Sequence, residues 1–408
     1  RKVGIILAVI ATIGAYVVWL GSKGTFGTSK NQMLWSMVVG RILFGIGLET
    51  TCVLISRTIV KWFKGKELAF AMGMNIVVGR LGSFMAISFS LDLGGGNLSN
   101  ALVISASIIM VGTLLFIAYL GLDKKLDTQL AEQAVADASS GDEFKFSDLV
   151  KLITDHSFIF ISLLCVAFYS AVFPFLQYAP DLLVNKFGFT YTLPDLSGAS
   201  FFQRIGAYLT NGPKVSGLIP LGTIIFTPIF GRLVDAKGKA ASLMILGSVL
   251  LIYAHLTLSV MNNVVLGYTG LFALGVAFSL VPAAMWPSVA KIVAENRLGT
   301  AYATMFTIQN YGLSLFYFGI GKVLDMVNPT TVNAIAAARE KFEAAGLSPE
   351  AISAEIDLMR ASGEIATYNY TIPILMLVAL GVVSIYLSFL LKRADKRQNY
   401  GLERPSGQ

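Results

Sequence analysis

Residues 216–261 read SGLIPLGTIIFTPIFGRLVDAKGKAASLMILGSVLLIYAHLTLSVM. Two apolar blocks, 216–234 and 240–261, flank one short charged turn. The hydrocarbon core of a bilayer takes about 20 apolar residues of helix. Inside lipid the backbone must satisfy its own hydrogen bonds, which an α-helix does and an open strand does not. The stretch therefore reads as a helix that crosses a membrane, a turn, and a helix that crosses back. Barrel strands would be shorter and would alternate strictly, and these blocks do neither.

The same rhythm runs outward in both directions. Spans are expected at roughly 3–21, 33–60, 68–92, 100–121, 157–184, 216–234, 240–261, 264–290, 298–327 and 370–391. Hydrophobic residues make up 55% of the 408 and charged residues 13%. A soluble domain carries about 25% charged residues. The chain is thus an all-α polytopic membrane protein, with the lipid bilayer as its first partner. Nineteen basic residues fall at alternate span ends, among them Lys61, Lys64, Lys66, Arg232, Lys237, Lys239, Lys392 and Arg393, against nine at the other ends. The richer side is cytoplasmic by the positive-inside rule. That distribution accounts for the net charge of +7 without a nucleic acid.

A polar stretch over 122–152 reads as a cytoplasmic linker. It divides an N-terminal bundle, 1–121, of four spans from a C-terminal bundle, 153–395, of six. Within the second bundle, 329–368 is rich in Ala and Glu and reads as a helical hairpin outside the membrane. Residues 396–408 form a cytoplasmic tail. Internal repetition links the halves. When Leu68–Gly82 is set on Leu298–Gly312, Arg80 falls on Asn310 and Gly82 on Gly312. Cys52 and Cys165 both lie in apolar blocks, and His156 and His255 are the sole histidines, so no metal or disulfide framework is signalled. No nucleophile–base set and no Gly-rich phosphate loop argue for an enzyme or a cofactor.

Charges inside spans are costly, about 2.5–3.5 kcal/mol or more at the bilayer centre, and mark function by default. Arg41, Glu49, Arg57 and Arg80 are such residues. Glu49 lies thirteen positions before Trp62, and Arg80 thirteen after Glu67. At about 1.5 Å per residue each sits about 20 Å from the intervening turn, near the midplane.

Gly231-Arg232-Leu233-Val234-Asp235-Ala236-Lys237-Gly238-Lys239 resembles the G-x-x-x-D-x-x-G-[RK] loop motif of the major facilitator superfamily. That family carries one copy after its second helix and another after its eighth. Arg1-Lys2 looks like the tail of the first copy. The resemblance implies two pseudo-symmetric bundles, the N-terminal one lacking its first two helices in this chain.

A narrower resemblance is to the lysosomal dipeptide transporters of that superfamily. It rests on Gly40-Arg41-Ile42-Leu43-Phe44-Gly45-Ile46-Gly47-Leu48-Glu49, Trp62-Phe63-Lys64-Gly65-Lys66-Glu67-Leu68, Gly79-Arg80-Leu81-Gly82-Ser83, Met285-Trp286-Pro287 and Ile308-Gln309-Asn310. It implies transport of dipeptides by facilitated diffusion, through alternating access about a midplane site. It implies ligand-binding roles for Glu49 and Arg80, and an accessory glycosylated membrane subunit. The carrier itself is expected as a monomer. Its membrane is lysosomal or bacterial cytoplasmic.

A dipeptide is a zwitterion. Arg80 offers a bidentate fork to its carboxylate, and Glu49 an acceptor to its ammonium group. The alternative is that Glu49 and Arg80 simply pair with each other. Tyr169, Trp286, Gln309 and Asn310 are the second bundle's candidates for lining the site and binding the peptide amide. Arg41 and the motif residues Gly231, Arg232, Asp235, Gly238 and Lys239 are expected in structural or gating roles, with the turn Lys64–Glu67 as a further latch. Two rival functions stay open: proton-coupled symport of peptides or organic anions, with Glu49 titrating, and a non-transporting receptor or scaffold on a carrier fold.

Overall fold

The computed structural model describes residues 2–63, 68–133, 146–294 and 297–405. The turn 64–67 and the side chain of Arg57 lie outside the described residues. Fourteen helices are described, and a single bridge between Thr190 and Asn211 is the only β pairing among the described residues. Ten helices fall on the ten expected spans: α1 (Lys2–Ser22), α2 (Lys30–Phe63), α3 (Leu68–Leu93), α4 (Leu98–Gln133), α6 (His156–Phe187), α8 (Gly212–Lys237), α9 (Ala240–Val260), α10 (Val264–Ile292), α11 (Leu298–Val327) and α14 (Thr371–Gln398). Eight helices are long and apolar enough to cross a membrane among the described residues, so the chain is an integral multi-pass membrane protein. Of the ten, α3 and α11 are not among the eight: the apolar part of α3 counted among the described residues is the shorter Met74–Ser90, and polar residues such as Thr304, Gln309 and Asn310 lower the hydropathy of α11.

Four helices are shorter: α5 (Phe146–Thr154), α7 (Phe201–Leu209), α12 (Pro329–Ala344) and α13 (Pro349–Ala361). The last two form the helical hairpin expected over 329–368. Helix α7 was not anticipated from the sequence, and α4 runs on to Gln133 instead of stopping near 121.

The chain forms two compact units. The first holds Arg1–Gly79 and Phe89–Gly141, the second Arg80–Ser88 and Asp142–Gln408. In the first, α1 packs closely on α2 because glycines remove the side chains between them. A Cβ added to Gly40 would stand 2.7 Å from the Val18 nitrogen and 2.9 Å from the Gly14 oxygen. Small residues at the contact let helices in lipid gain van der Waals packing, and hydroxyls add polar links. Thr12 Oγ1 and Thr113 Oγ1, 2.8 Å apart, tie α1 to α4.

Helix α6 is the axis of the second unit and is buried along most of its length. Its first turn is capped by Asp155, which accepts from the Ser157 and Phe158 amides at 2.8 and 3.0 Å. Pro174 and Pro180 interrupt its hydrogen-bond ladder. Beside Pro174, the buried His255 on α9 reaches the Ala171 carbonyl with Nε2 at 3.1 Å.

Candidate functional site

Three helices of the second unit bring aromatic side chains to one place. On α6, Cys165, Tyr169 and Phe173 recur every four residues and so share a face. Helix α10 supplies Phe278 and Trp286, and α11 supplies Tyr302, Phe306 and Gln309. Tyr169 stacks on Phe173 with ring centroids 5.5 Å apart, and both stand edge-on to Phe278. Trp286 stacks on Phe306 at 4.7 Å. Edge-to-face and offset pairs of this kind are the favoured arrangements of aromatic quadrupoles.

Hydrogen bonds fix the rings. The Trp286 indole Nε1–H donates to the Tyr169 hydroxyl at 2.9 Å. The Tyr302 hydroxyl donates to the Trp286 carbonyl at 3.2 Å, next to Pro287. Behind them the Cys165 thiol donates to Gln309 Oε1 at 3.2 Å, both residues being buried.

Arg80, from the α3 segment that belongs to this unit, lies half-buried over Phe278, its guanidinium carbon 4.1 Å from the ring centroid. That distance is well inside the range of a cation–π contact. Within the second unit no described carboxylate or carbonyl accepts from its guanidinium. Among the described residues of this unit the guanidinium rests on a ring face, and its N–H donors are available to a ligand.

The other sequence candidates are placed as follows. Glu49 lies on α2 in the first unit and is exposed. Asn310 is exposed on α11, one residue from the buried Gln309. Arg41 is exposed on α2, with its guanidinium 5.4 Å from the Phe44 ring, one residue from the close contact at Gly40. Arg232 and Asp235 are exposed in the last turns of α8. Gly231 has open space around its α-carbon. Gly238 is buried with φ of 65°, and a Cβ there would collide with the Arg404 backbone. Lys239 follows in the left-handed region, with φ of 59°. The motif's glycine is thus required by the α8–α9 turn and by a segment packed against it.

That segment is the stretch after α14. Leu402 is fully buried, and its carbonyl accepts from the Ala240 amide at 2.9 Å. Glu403 accepts from the amide and hydroxyl of Ser242 at 2.9 and 2.7 Å and pairs with Lys392. Lys291 donates to the Gly401 carbonyl, and Tyr400 to Ser157 Oγ. Residues 400–404 therefore strap together the ends of α6, α9, α10 and α14.

Sequence reasoning missed two further polar sites. Lys214, assigned to a loop, is buried in the first turn of α8 and donates to the Ser88 carbonyl at 2.6 Å. Asp181, near the end of α6, accepts from the hydroxyls of Tyr191 and Tyr370 and pairs with Arg360 of α13 at 3.1 Å. Arg360 also donates to Asn185 Oδ1 at 3.0 Å. Burial alone would lower the Arg360 pKa, but Asp181 together with Tyr191 and Asp357 raises it on balance. Burial, reinforced by that carboxylate, raises the Tyr191 hydroxyl. The signal available in the sequence was a lone Asp between Pro180 and Leu182, within an apolar block.

The sequence profile described as Major Facilitator Superfamily matches residues 1–317. Among curated proteins, the chain is 31% identical over 305 residues to the lysosomal dipeptide transporter MFSD1 of Danio rerio, a match covering 72% of this chain and 60% of that protein. It is 29% identical to the protein of the same name from Gallus gallus, covering 79% of this chain and 68% of the relative. For the Homo sapiens protein the identity is 29%, with 79% and 64% covered. The chain thus spans about two thirds of the length of these relatives.

Proposed function

This chain belongs to the Major Facilitator Superfamily, and on that premise we propose that it carries dipeptides across a membrane by alternating access, as a uniporter. The observation that supports this reading is the Arg80 guanidinium over Phe278, with no acceptor among the described residues of its own unit. A cation so placed near the midplane of a membrane calls for an anion, and a terminal carboxylate matches its fork. The rings of Phe173, Trp286 and Phe306, backed by the buried Tyr169, give an apolar surface that makes few demands on side-chain chemistry. Such a surface suits a substrate class defined by its charged ends. Glu49, exposed on α2, is the proposed acceptor for the ammonium group, and Asn310 the proposed partner of the peptide amide. Gln309, engaged by Cys165, is assigned to holding α11 against α6. The similarity to proteins named as dipeptide transporters points the same way.

The test uses the full-length gene product in liposomes and follows a labelled dipeptide with and without a pH gradient. Uptake that equilibrates regardless of the gradient is expected. Accumulation only against an acidic exterior would replace uniport with proton symport through Glu49. No uptake across a mixed dipeptide panel by folded protein would leave a carrier fold with a receptor or scaffold role.

A further inference from the structure

Helix α7 raises a problem of cover. It has nine residues, a capping box between Ser200 and Gln203, and no buried side chain. Isolated helices shorter than about 12 residues are marginal in water, even for strong helix formers. Phe201, Phe202, Ile205, Tyr208 and Leu209 nevertheless fall within about 120° of arc at 3.6 residues per turn. Phe201 is 70% exposed and Phe202 82%.

Its level in the fold is set by its anchors. The Tyr268 hydroxyl, four residues into α10, donates to the Leu209 carbonyl. Just beyond α7, Gly212 lies against the Pro180 carbonyl, 2.8 Å from where its Cβ would be. Pro180 precedes the last residue of α6 by seven positions, about 10 Å of helix. The end of α9 gives a second gauge, since Lys186 donates to the Leu258 and Ser259 carbonyls at 2.9 and 2.5 Å. Helix α7 is therefore tethered at or below the level where α6 and α9 end, not above it.

We infer that α7 is an interfacial helix whose apolar face inserts into the lipid leaflet at that end of the second unit, the extracytoplasmic leaflet by the distribution of basic residues. A short amphipathic helix with aromatic residues on its apolar face lies in the plane of the headgroup–acyl boundary. Arg204 does not draw it there. Its Nε and Nη2 donate to the Ala199 and Leu196 carbonyls at 3.1 and 3.2 Å, so the side chain is turned back onto the preceding loop and the apolar face carries the attachment. The inference does not depend on what the carrier moves.

Nitroxide labels at Phe202→Cys and Gln203→Cys test it, each in full-length protein with Cys52 and Cys165 replaced by Ser and reconstituted in bilayers. Position 202 should collide severalfold more with oxygen than with a water-soluble nickel chelate, and position 203 should show the reverse. Changing the fraction of anionic lipid should leave the ratio unchanged. Equal chelate access at both positions would put the helix in water and overturn the inference. A label at 202 immobilised and shielded from both reagents would assign the face to a protein partner instead. Ile205→Cys gives an independent reading should the 202 variant fail to fold.

Discussion

Arg80 is a charged residue of the second unit that stacks on a ring. Its guanidinium meets a ring face and no described acceptor of that unit. Arg80→Gln is expected to weaken dipeptide binding by about 2–3 kcal/mol, roughly 30- to 140-fold in Kd, as for a lost charge-assisted hydrogen bond. Arg80→Lys should recover little of it, because an ammonium group lacks the planar fork. Titration of the reconstituted variants with a labelled dipeptide measures both. Phe278→Leu should cost about 0.5–2 kcal/mol through the cation–π contact, leaving the carboxylate partner in place. Arg80 was legible in the sequence because a charge within a span is conspicuous. Phe278 was not, since one Phe in an apolar helix carries no mark until a third helix places a guanidinium above it. The same limit hid the Trp286–Tyr169 bond: both residues could be named as lining candidates, but their pairing depends on how α6 and α10 pack.

Helix positions were readable because apolar blocks about twenty residues long have one solution in lipid. What joins the helices was less readable. Gly40 lies in a motif whose arginine attracts the eye, yet it is the glycine that faces α1. Gly40→Leu should destabilise the first unit by about 1–3 kcal/mol through overpacking, while Gly45→Ala, with open space around it, should be neutral. Thermal unfolding of the two variants in detergent separates these outcomes. Pro174 interrupts the ladder of helix α6, and the His255 ring there lies between the Ala171 and Leu251 carbonyls. His255→Phe keeps a ring in place and removes its hydrogen bonding, leaving a buried carbonyl one partner short. It should lower stability by about 1–3 kcal/mol. Helix α7 escaped sequence reasoning because nine residues between two long apolar blocks give a periodic signal too short to separate from a loop.

At the scale of the whole molecule, each unit is held by polar contacts that the sequence could not place. The hairpin of α12 and α13 was expected outside the membrane, and Arg360 fastens it to Asp181 and Asn185 on α6. Asp181→Asn removes the carboxylate that serves Arg360, Tyr191 and Tyr370 together. Limited proteolysis should then cut within 329–368 several times faster than in the parent, with the core helices still protected. Gly238→Ala should cost about 1–3 kcal/mol, because the residue sits at positive φ against the Arg404 backbone. The strap over 400–404 also bears on the order in which the protein is made. Helices α6, α9 and α10 leave the ribosome well before Leu402 is translated, so their shared end stays unfastened until synthesis has passed α14. A nascent chain stalled or cut ahead of Tyr400 would leave the Ala240 and Ser242 amides and the Lys291 ammonium without these acceptors. Closure of the strap thus gives a cellular surveillance system a local difference between a finished bundle and an unfinished one.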